Sequence, residues 1–338
     1  MIPGPNLPTT ERHFADSLVE AAYAKKSILV AGLDPQLRYI PVHLRTLMAN
    51  LYGKSFEGIG RLFLEFNKRS IDAIAEFAIA VKPQMAFYEA YGMWGIWAFE
   101  ETVKYAYDKG LIVIEDAKRG DGGDTADAYA DGHIGEVPWW SLNENAPEEL
   151  SRIRSPLRVD AVTVHGYIGD DCVKRFVRPS VNKYGTGIFV VTKTSFKPNS
   201  RVEQLDTKSG LKVWQELAEM INEWGVGTEG IYGYRNVGAV MGATYPEDAP
   251  WMRAALPYSW LLVPGYGGQG GTADQAVAGA RRDGLGCAVN SSRAITFAYM
   301  KGPYQTDPEK YADAAALAAR TSRDELNEAL QRAGKYSF

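Results

Sequence analysis

Apolar and polar positions follow one another along this chain in blocks that predict strands and helices in regular succession. Short apolar runs, rich in β-branched residues and bounded by turn residues, predict strands. Longer segments with apolar residues three and four positions apart predict amphipathic helices. The eight predicted strands lie at residues 27–35, 77–84, 111–119, 159–165, 187–194, 237–242, 260–264 and 286–290. The predicted helices lie at 10–26, 62–74, 94–108, 170–183, 211–224, 246–256, 272–283 and 307–332, with a further one after Asp124 and a polar loop after the first strand.

The predicted strands are apolar throughout, which is typical of strands buried on both faces in a parallel sheet. Eight strand–helix units of this kind predict an α/β protein with a (β/α)8 TIM barrel, formed by one domain over residues 1–338. A doubly wound open sheet would need a glycine-rich turn after the first strand, and Gly32-Leu33-Asp34-Pro35 does not supply one. The first helix is extra to the barrel, and residues 136–158 read as an insertion between the third helix and the fourth strand.

Composition narrows the possible partners and the cell compartment. The chain has 338 residues, 46% of them hydrophobic, and a net charge of -4, so nothing global attracts nucleic acid or an anionic membrane. No apolar run approaches the length of a transmembrane helix, and the first residues lack the blocks of a signal peptide. Cys172 and Cys287 stand alone without metal-type spacing, which favours a reducing cytoplasm.

Charged side chains occupy the ends of neighbouring predicted strands. Asp34 ends the first strand, Lys82 ends the second, and Asp116 and Lys118 end the third, with Asp121 just beyond. One charged strand end is ordinarily a solvated ion pair, but three adjacent ends with alternating signs are hard to explain that way. Because active sites of these barrels lie at the carboxyl ends of the strands, the pattern predicts a site that contacts a ligand.

A second feature predicts that the ligand carries a phosphate group. The loop after the seventh strand, residues 265–271, contains five glycines, whose backbone N–H groups can approach an anion closely. Gln269 in this loop and Arg293 after the eighth strand can donate hydrogen bonds to phosphate oxygens. The loops after strands seven and eight are the usual phosphate site of this fold.

Together these motifs resemble one enzyme family over about residues 27–300. The similar stretches are Asp34-Pro35, Lys82-Pro83-Gln84 with Phe87-Tyr88-Glu89, Asp116-Ala117-Lys118-Arg119-Gly120-Asp121, Thr194-Ser195, Pro264-Gly265 with Gln269-Gly270-Gly271, and Ser292-Arg293. The sequence resembles orotidine 5'-monophosphate decarboxylase, in its longer bacterial branch. The resemblance implies a cofactor-free and metal-free carboxy-lyase that makes uridine 5'-monophosphate in pyrimidine synthesis.

The resemblance also implies roles for individual residues. The expected catalytic residues are Lys82, Asp116, Lys118 and Asp121, and the expected substrate-binding residues are Asp34, Thr125, Ser195, Gln269, Gly270, Ser292 and Arg293. Asp34 and Lys82 would hold the ribose, Asp116 would face the substrate carboxylate, and Lys118 would face the carbon that loses carbon dioxide. Ser195 would contact the pyrimidine edge, whereas Gln269 and Arg293 would bind the phosphate. Asp121 and Thr125 would enter the site of a second subunit, which implies a homodimer.

The sequence departs from the family pattern at two places, and two alternative functions are compatible with parts of the pattern. Gly122-Gly123-Asp124 stands where the family usually has a large aliphatic residue, and Phe196-Lys197 departs from the usual pattern after Thr194-Ser195. A related magnesium-dependent sugar-phosphate decarboxylase or aldolase would share the Asp-x-Lys-x-x-Asp element, but Lys82 stands where such enzymes carry an acid and would repel a dication. A non-catalytic phosphate-binding barrel would not need the alternating charges. His165 is expected to be a structural, hydrogen-bonded histidine.

Overall fold

The computed structural model describes residues 12–141, 150–178, 183–336 and 338. The strands are β1 Leu29–Leu33, β2 Ala80–Pro83, β3 Ile112–Arg119, β4 Glu136–Trp139, β5 Ser151–Arg154, β6 Ala161–His165, β7 Gly187–Lys193, β8 Arg235–Met241, β9 Ser259–Val263 and β10 Cys287–Ser291. The helices are α1 Phe14–Lys25, α2 Val42–Tyr52, α3 Phe56–Ile74, α4 Met85–Glu89, α5 Gly92–Asp108, α6 Gly123–Ile134, α7 Asp170–Phe176, α8 Val213–Trp224, α9 Ala249–Ala255, α10 Ala273–Ala276, α11 Arg293–Thr296 and α12 Tyr311–Arg332.

Eight of these strands close into a parallel barrel in chain order, with β4 and β5 left out. The barrel closes where β1 pairs with β10, and Val30 lies beside Asn290 there. On its other side Val30 lies beside Ala80 of β2. The predicted (β/α)8 barrel is therefore confirmed, and all strand carboxyl ends lie at one rim.

Two apolar clusters fill the space inside and outside the barrel wall. The outer cluster packs the strands against the surrounding helices, and the amphipathic α3 contributes Phe66 and Ile71 to it. The inner cluster joins strand residues such as Ile114 to Phe14 and Leu18 of the extra helix α1. The ring of Phe14 meets that of Phe189 edge-on at 5.8 Å. Helix α1 thus covers the amino-terminal end of the barrel, which leaves the opposite rim for ligands.

The structure differs from the sequence-based prediction in several connecting segments. The region predicted as a polar loop after β1 contains α2, whose single buried residue, Leu44, gives a weak periodic signal. The helix predicted over 272–283 is α-helical only at α10, and the remainder forms turns. The segment 136–158 contains the antiparallel hairpin of β4 and β5. Some other predictions extend over residues that the structure does not describe, at 10–11, 142–149 and 179–182. None of the described helices has the length and apolar composition needed to cross a membrane.

Candidate active site

The charged strand ends predicted from the sequence meet at the carboxyl-terminal rim of the barrel. Lys82 of β2 lies in register beside Gly32 of β1. Gln84, which follows β2, forms an isolated parallel bridge with Asp116 of β3. The register of these adjacent strands therefore brings Lys82 close to Asp116.

Asp116 is the centre of this group of charges. Its Oδ2 accepts a hydrogen bond from Lys82 Nζ at 2.5 Å, and its Oδ1 accepts one from Lys118 Nζ. The Lys82 side chain is only 5% exposed, whereas that of Lys118 is 42% exposed. The second ammonium group therefore borders the open rim, where a bound molecule can reach it.

The neighbouring charges fix the ionisation of these groups. Burial alone would raise the pKa of Asp116, but Lys82 and Lys118 outweigh it and hold that pKa well below its usual range. Burial likewise works against the charge of Lys82, yet Asp116 and Asp34 leave the pKa of that ammonium raised. The buried part of the group is thus an ion pair whose two members each stabilise the other's charge.

Two residues without a predicted role complete the contacts of Asp116. Thr163 of β6 donates from Oγ1 to Asp116 Oδ1 at 3.0 Å, and Gln84 donates from Nε2 to Oδ2 at 2.9 Å. Each carboxylate oxygen therefore has two donors, which leaves it little freedom to turn. In the sequence, Thr163 stands out as a polar residue between Val162 and Val164 of a predicted strand, but its partner Asp116 could not be identified from the sequence.

The backbone at Lys118 departs from the simple alternation expected of a strand. The pairing of β3 with β6 shifts register between Glu115 and Arg119, and Lys118 has a φ of 50°. This left-handed conformation is unfavourable for a residue with a side chain. The Lys118 N–H is bound by Thr163 Oγ1 at 2.9 Å. The irregularity, rather than regular pleating, sets the direction in which the lysine projects.

Asp34 lies on the β1 side of the same rim. Its pKa is raised by burial, although Lys82 and the Ser292 hydroxyl favour the charged form. Its Oδ1 is buried and has no hydrogen-bond partner within the described part of the chain. A side chain at Gly32 would lie 1.9 Å from Ser292 Oγ, so the glycine permits this close approach. The described residues therefore supply no hydrogen bond to this carboxylate oxygen.

The predicted phosphate loop follows β9, which is separated from β1 by β10 alone in the barrel. Its turns depend on glycine, since Gly265 has a φ of 101° and Gly270 a φ of 89°. Ser195, which follows β7, donates to Gln269 Oε1 at 2.6 Å and so joins this loop to the predicted pyrimidine side. Arg293 is exposed at the start of α11. The loop, Ser195 and Arg293 together form a polar edge beside the charged group.

Asp121 and Thr125 do not join the other predicted residues within this chain. Asp121 Oδ1 instead accepts the N–H of Gly122 at 2.8 Å, and Thr125 is exposed on α6. His165 is also exposed, and its ring has no hydrogen bond to another described residue, so the expected structural, hydrogen-bonded role is not found. Burial and the charge of Lys118 lower the pKa of His165.

The charged group does not provide a conventional metal site. Among the described residues, no three His, Cys, Asp or Glu side chains are grouped so that they could hold a metal ion. The carboxylate with the most central position, Asp116, already has both oxygens occupied by lysines and other donors.

Fold and site together define the chain as a (β/α)8-barrel protein with a lysine–aspartate group and a glycine-rich loop at the carboxyl-terminal rim. The sequence profile described as the Orotidine 5'-phosphate decarboxylase / HUMPS family matches residues 29–302. The chain belongs to this family, as the resemblance predicted.

Individual relatives agree with this assignment over nearly their whole length. A protein of Rhodopirellula baltica named orotidine 5'-phosphate decarboxylase is 37% identical over 315 residues, covering 93% of this chain and 98% of the relative. One of the same name from Caldicellulosiruptor saccharolyticus is 34% identical over 318 residues, covering 94% and 99%. The structure of Leishmania donovani OMP decarboxylase matches with a TM-score of 0.65 and 28% identity, covering 93% and 99%.

Proposed function

We propose that this chain is a carboxy-lyase that converts orotidine 5'-monophosphate to uridine 5'-monophosphate and carbon dioxide in pyrimidine synthesis. Membership of the family and relatives of that name, which match 93% and 94% of the chain, support the activity. The observation that carries the proposal is the Lys82–Asp116–Lys118 group, with its buried carboxylate and its exposed terminal ammonium. An alternating group of this kind offers positive charge where a carbanion develops.

In the proposed reaction, the bond between the pyrimidine ring and its carboxylate breaks and the electron pair stays on the ring carbon. The Lys118 ammonium stabilises this pair and then donates a proton to the carbon, so that one proton replaces one carbon dioxide. Asp116, held ionised by its two lysines, lies next to the departing carboxylate and disfavours its charge. Because the charges are fixed by their neighbours before substrate binds, little reorganisation is needed.

The remaining rim residues are proposed to bind the rest of the nucleotide. Asp34 and Lys82 would contact the ribose hydroxyls, which accounts for the unpartnered Oδ1 of Asp34. Ser195 would contact the pyrimidine edge. Gln269, Gly270, Ser292 and Arg293 would surround the phosphate. Binding energy from the phosphate, remote from the reacting carbon, can then offset the unfavourable approach of two carboxylates.

Turnover by purified protein tests the activity directly. We expect the ultraviolet absorbance of orotidine 5'-monophosphate to fall at an unchanged rate when EDTA is present, because protein ammonium groups supply the positive charge. Turnover that is lost with EDTA and restored by Mg²⁺ would instead favour a metal-dependent lyase of the same superfamily. Binding of uridine 5'-monophosphate without any turnover of the substrate would favour a phosphate-binding barrel.

Replacing Arg293 with alanine tests the phosphate site. We expect KM to rise by about 100-fold or more, because a bidentate, charge-assisted contact is lost. A decrease in kcat is also expected, since remote binding energy contributes to the reaction step. The matched control is Arg282→Ala, an exposed arginine outside the predicted site. Equal kinetics of the two variants would show that Arg293 does not bind the phosphate.

We further propose that two chains share their sites. Asp121 is needed for a complete Lys-Asp-Lys-Asp set, yet within one chain its Oδ1 contacts its own loop. Thr125 is exposed nearby on α6. A homodimer in which these residues enter the partner's site would use both of them. A cytoplasmic location remains a prediction from the two isolated cysteines.

A further inference from the structure

The face of β3 that points away from the charged group carries a second polar network. Glu115 is fully buried, and its Oε2 lies 2.8 Å from Nδ1 of His133 on α6. Arg119 donates from Nε to His133 Nε2 at 3.2 Å and forms an ion pair with Glu89 at the end of α4. The Arg119 guanidinium also lies over the ring of Tyr129 at 5.5 Å. We call Glu115, His133, Arg119 and Glu89 the outer network.

The chemistry of its members fixes the proton positions in the outer network. A carboxylate can only accept a hydrogen bond and a guanidinium can only donate one. His133 therefore donates from Nδ1 to Glu115 and accepts at Nε2 from Arg119, as a neutral imidazole. Removing either neighbour leaves one ring nitrogen without its partner, so the three side chains act as one unit.

The outer network joins the elements that carry the predicted catalytic residues. Glu115 and Arg119 lie on either side of Asp116 and Lys118 in β3. Helix α4 follows the strand of Lys82, and α6 follows the loop of Asp121. Fixing α4 and α6 to the end of β3 therefore fixes the position of the β3 end relative to the end of β2 and to the loop of Asp121.

Two features of the outer network are unfavourable for stability by themselves. Glu115 Oε1 is buried without a hydrogen-bond partner in the described part of the chain, and an unsatisfied buried polar atom destabilises a fold. The left-handed backbone of Lys118 lies inside the span from Glu115 to Arg119. Strained backbone of this kind persists only where the surrounding contacts determine it, and it clusters at functional sites.

We propose that the outer network positions Lys118 for proton transfer. Arg119 and His133 are positioning residues in this proposal, because they touch neither substrate nor reacting atoms and act by holding the irregular end of β3. The inference rests on the proposed decarboxylase function. It predicts that damage to the network lowers the rate of the chemical step and leaves nucleotide binding largely intact.

The principal test is Arg119→Met, compared with Arg235→Met as a matched control. Arg235 also has an acidic partner, Glu229, and a tyrosine ring, Tyr258, but lies at the start of β8, at the opposite end of the barrel. We expect Arg119→Met to lower kcat by about 30-fold, since small displacements of catalytic groups have effects of this order. KM and the affinity for uridine 5'-monophosphate should change by less than about 3-fold, because the phosphate site is untouched.

Substitutions at His133 give an independent measurement if Arg119→Met does not fold. His133→Gln can still donate to Glu115 and accept from Arg119, and we expect it to keep most of the wild-type kcat. His133→Leu can do neither, and we expect it to lose kcat as Arg119→Met does. The thermal unfolding curve of each variant gives the fraction of folded protein at the assay temperature. This fraction separates a lower kcat from a smaller amount of folded enzyme.

The outcomes separate this inference from the function on which it rests. No turnover by the wild-type protein would overturn the proposed decarboxylase, and the positioning role with it. Wild-type turnover with equal kcat in Arg119→Met and Arg235→Met would overturn the positioning role alone. A rise in KM with kcat unchanged, or equal kcat in His133→Gln and His133→Leu, would also overturn it.

Discussion

Lys118→Ala is expected to lower kcat by about 10⁴-fold, because one side chain supplies both the stabilising charge and the proton. The structure supports this expectation, since Lys118 is the exposed member of a group whose other lysine is buried. Asp116 also loses one of its two ammonium partners in this variant, so its charge is less well balanced. Affinity for uridine 5'-monophosphate, measured by titration calorimetry, should fall far less than kcat.

The variant Lys118→Arg distinguishes the positive charge of this lysine from its role as a proton donor. A guanidinium keeps the positive charge but does not release its proton in proteins, so we expect turnover to remain at least about 10³-fold below wild type. The control is Lys174→Ala, which removes an exposed lysine that pairs with Asp170 on the surface of α7. Recovery of near wild-type turnover by Lys118→Arg would show that charge alone is required and that another group donates the proton.

Co-expression of Lys118→Ala with Asp121→Ala is expected to restore activity that neither variant has alone. If each site takes its lysines from one chain and Asp121 from the other, a mixed dimer contains one intact site. Mixed dimers isolated from both parents therefore contain about half of the wild-type number of intact sites, as expected for a two-fold symmetric dimer. The measurement is decarboxylase activity per mole of total chain after purification through two different affinity tags.

Co-expression of Lys118→Ala with Lys82→Ala is the control for this complementation. Both lysines contact Asp116 within one chain, so every site of a mixed dimer carries one defect and no recovery is expected. Recovery of activity in this control as well would indicate that an intact gene had been regenerated by exchange or repair between the two variant genes. Shared sites would then not explain the activity. No recovery with Asp121→Ala, from mixed dimers confirmed by both tags, would show that Asp121 acts within its own chain.

The sequence by itself determined the barrel and the chemical character of its rim. Continuously apolar strands predict burial on both faces. This signal lies within each strand, so it does not depend on the structure of the connecting segments. Charges at successive strand ends identify a site, because the barrel collects all carboxyl ends at one rim. Segments with little buried surface, such as α2, were missed because their helical signal is weak.

Tertiary structure alone decided which groups touch and where each side chain points. Asp116 accepts a hydrogen bond from Thr163, which lies on a strand far along the chain. The periodicity of a sequence cannot predict the partner of such a long-range hydrogen bond. The left-handed backbone at Lys118 arises from a register shift between β3 and β6, which depends on both strands. His133 joins Glu115 and Arg119 only because α6 packs against β3. A sequence specifies residue types and local periodicity, whereas register and packing follow from the whole chain.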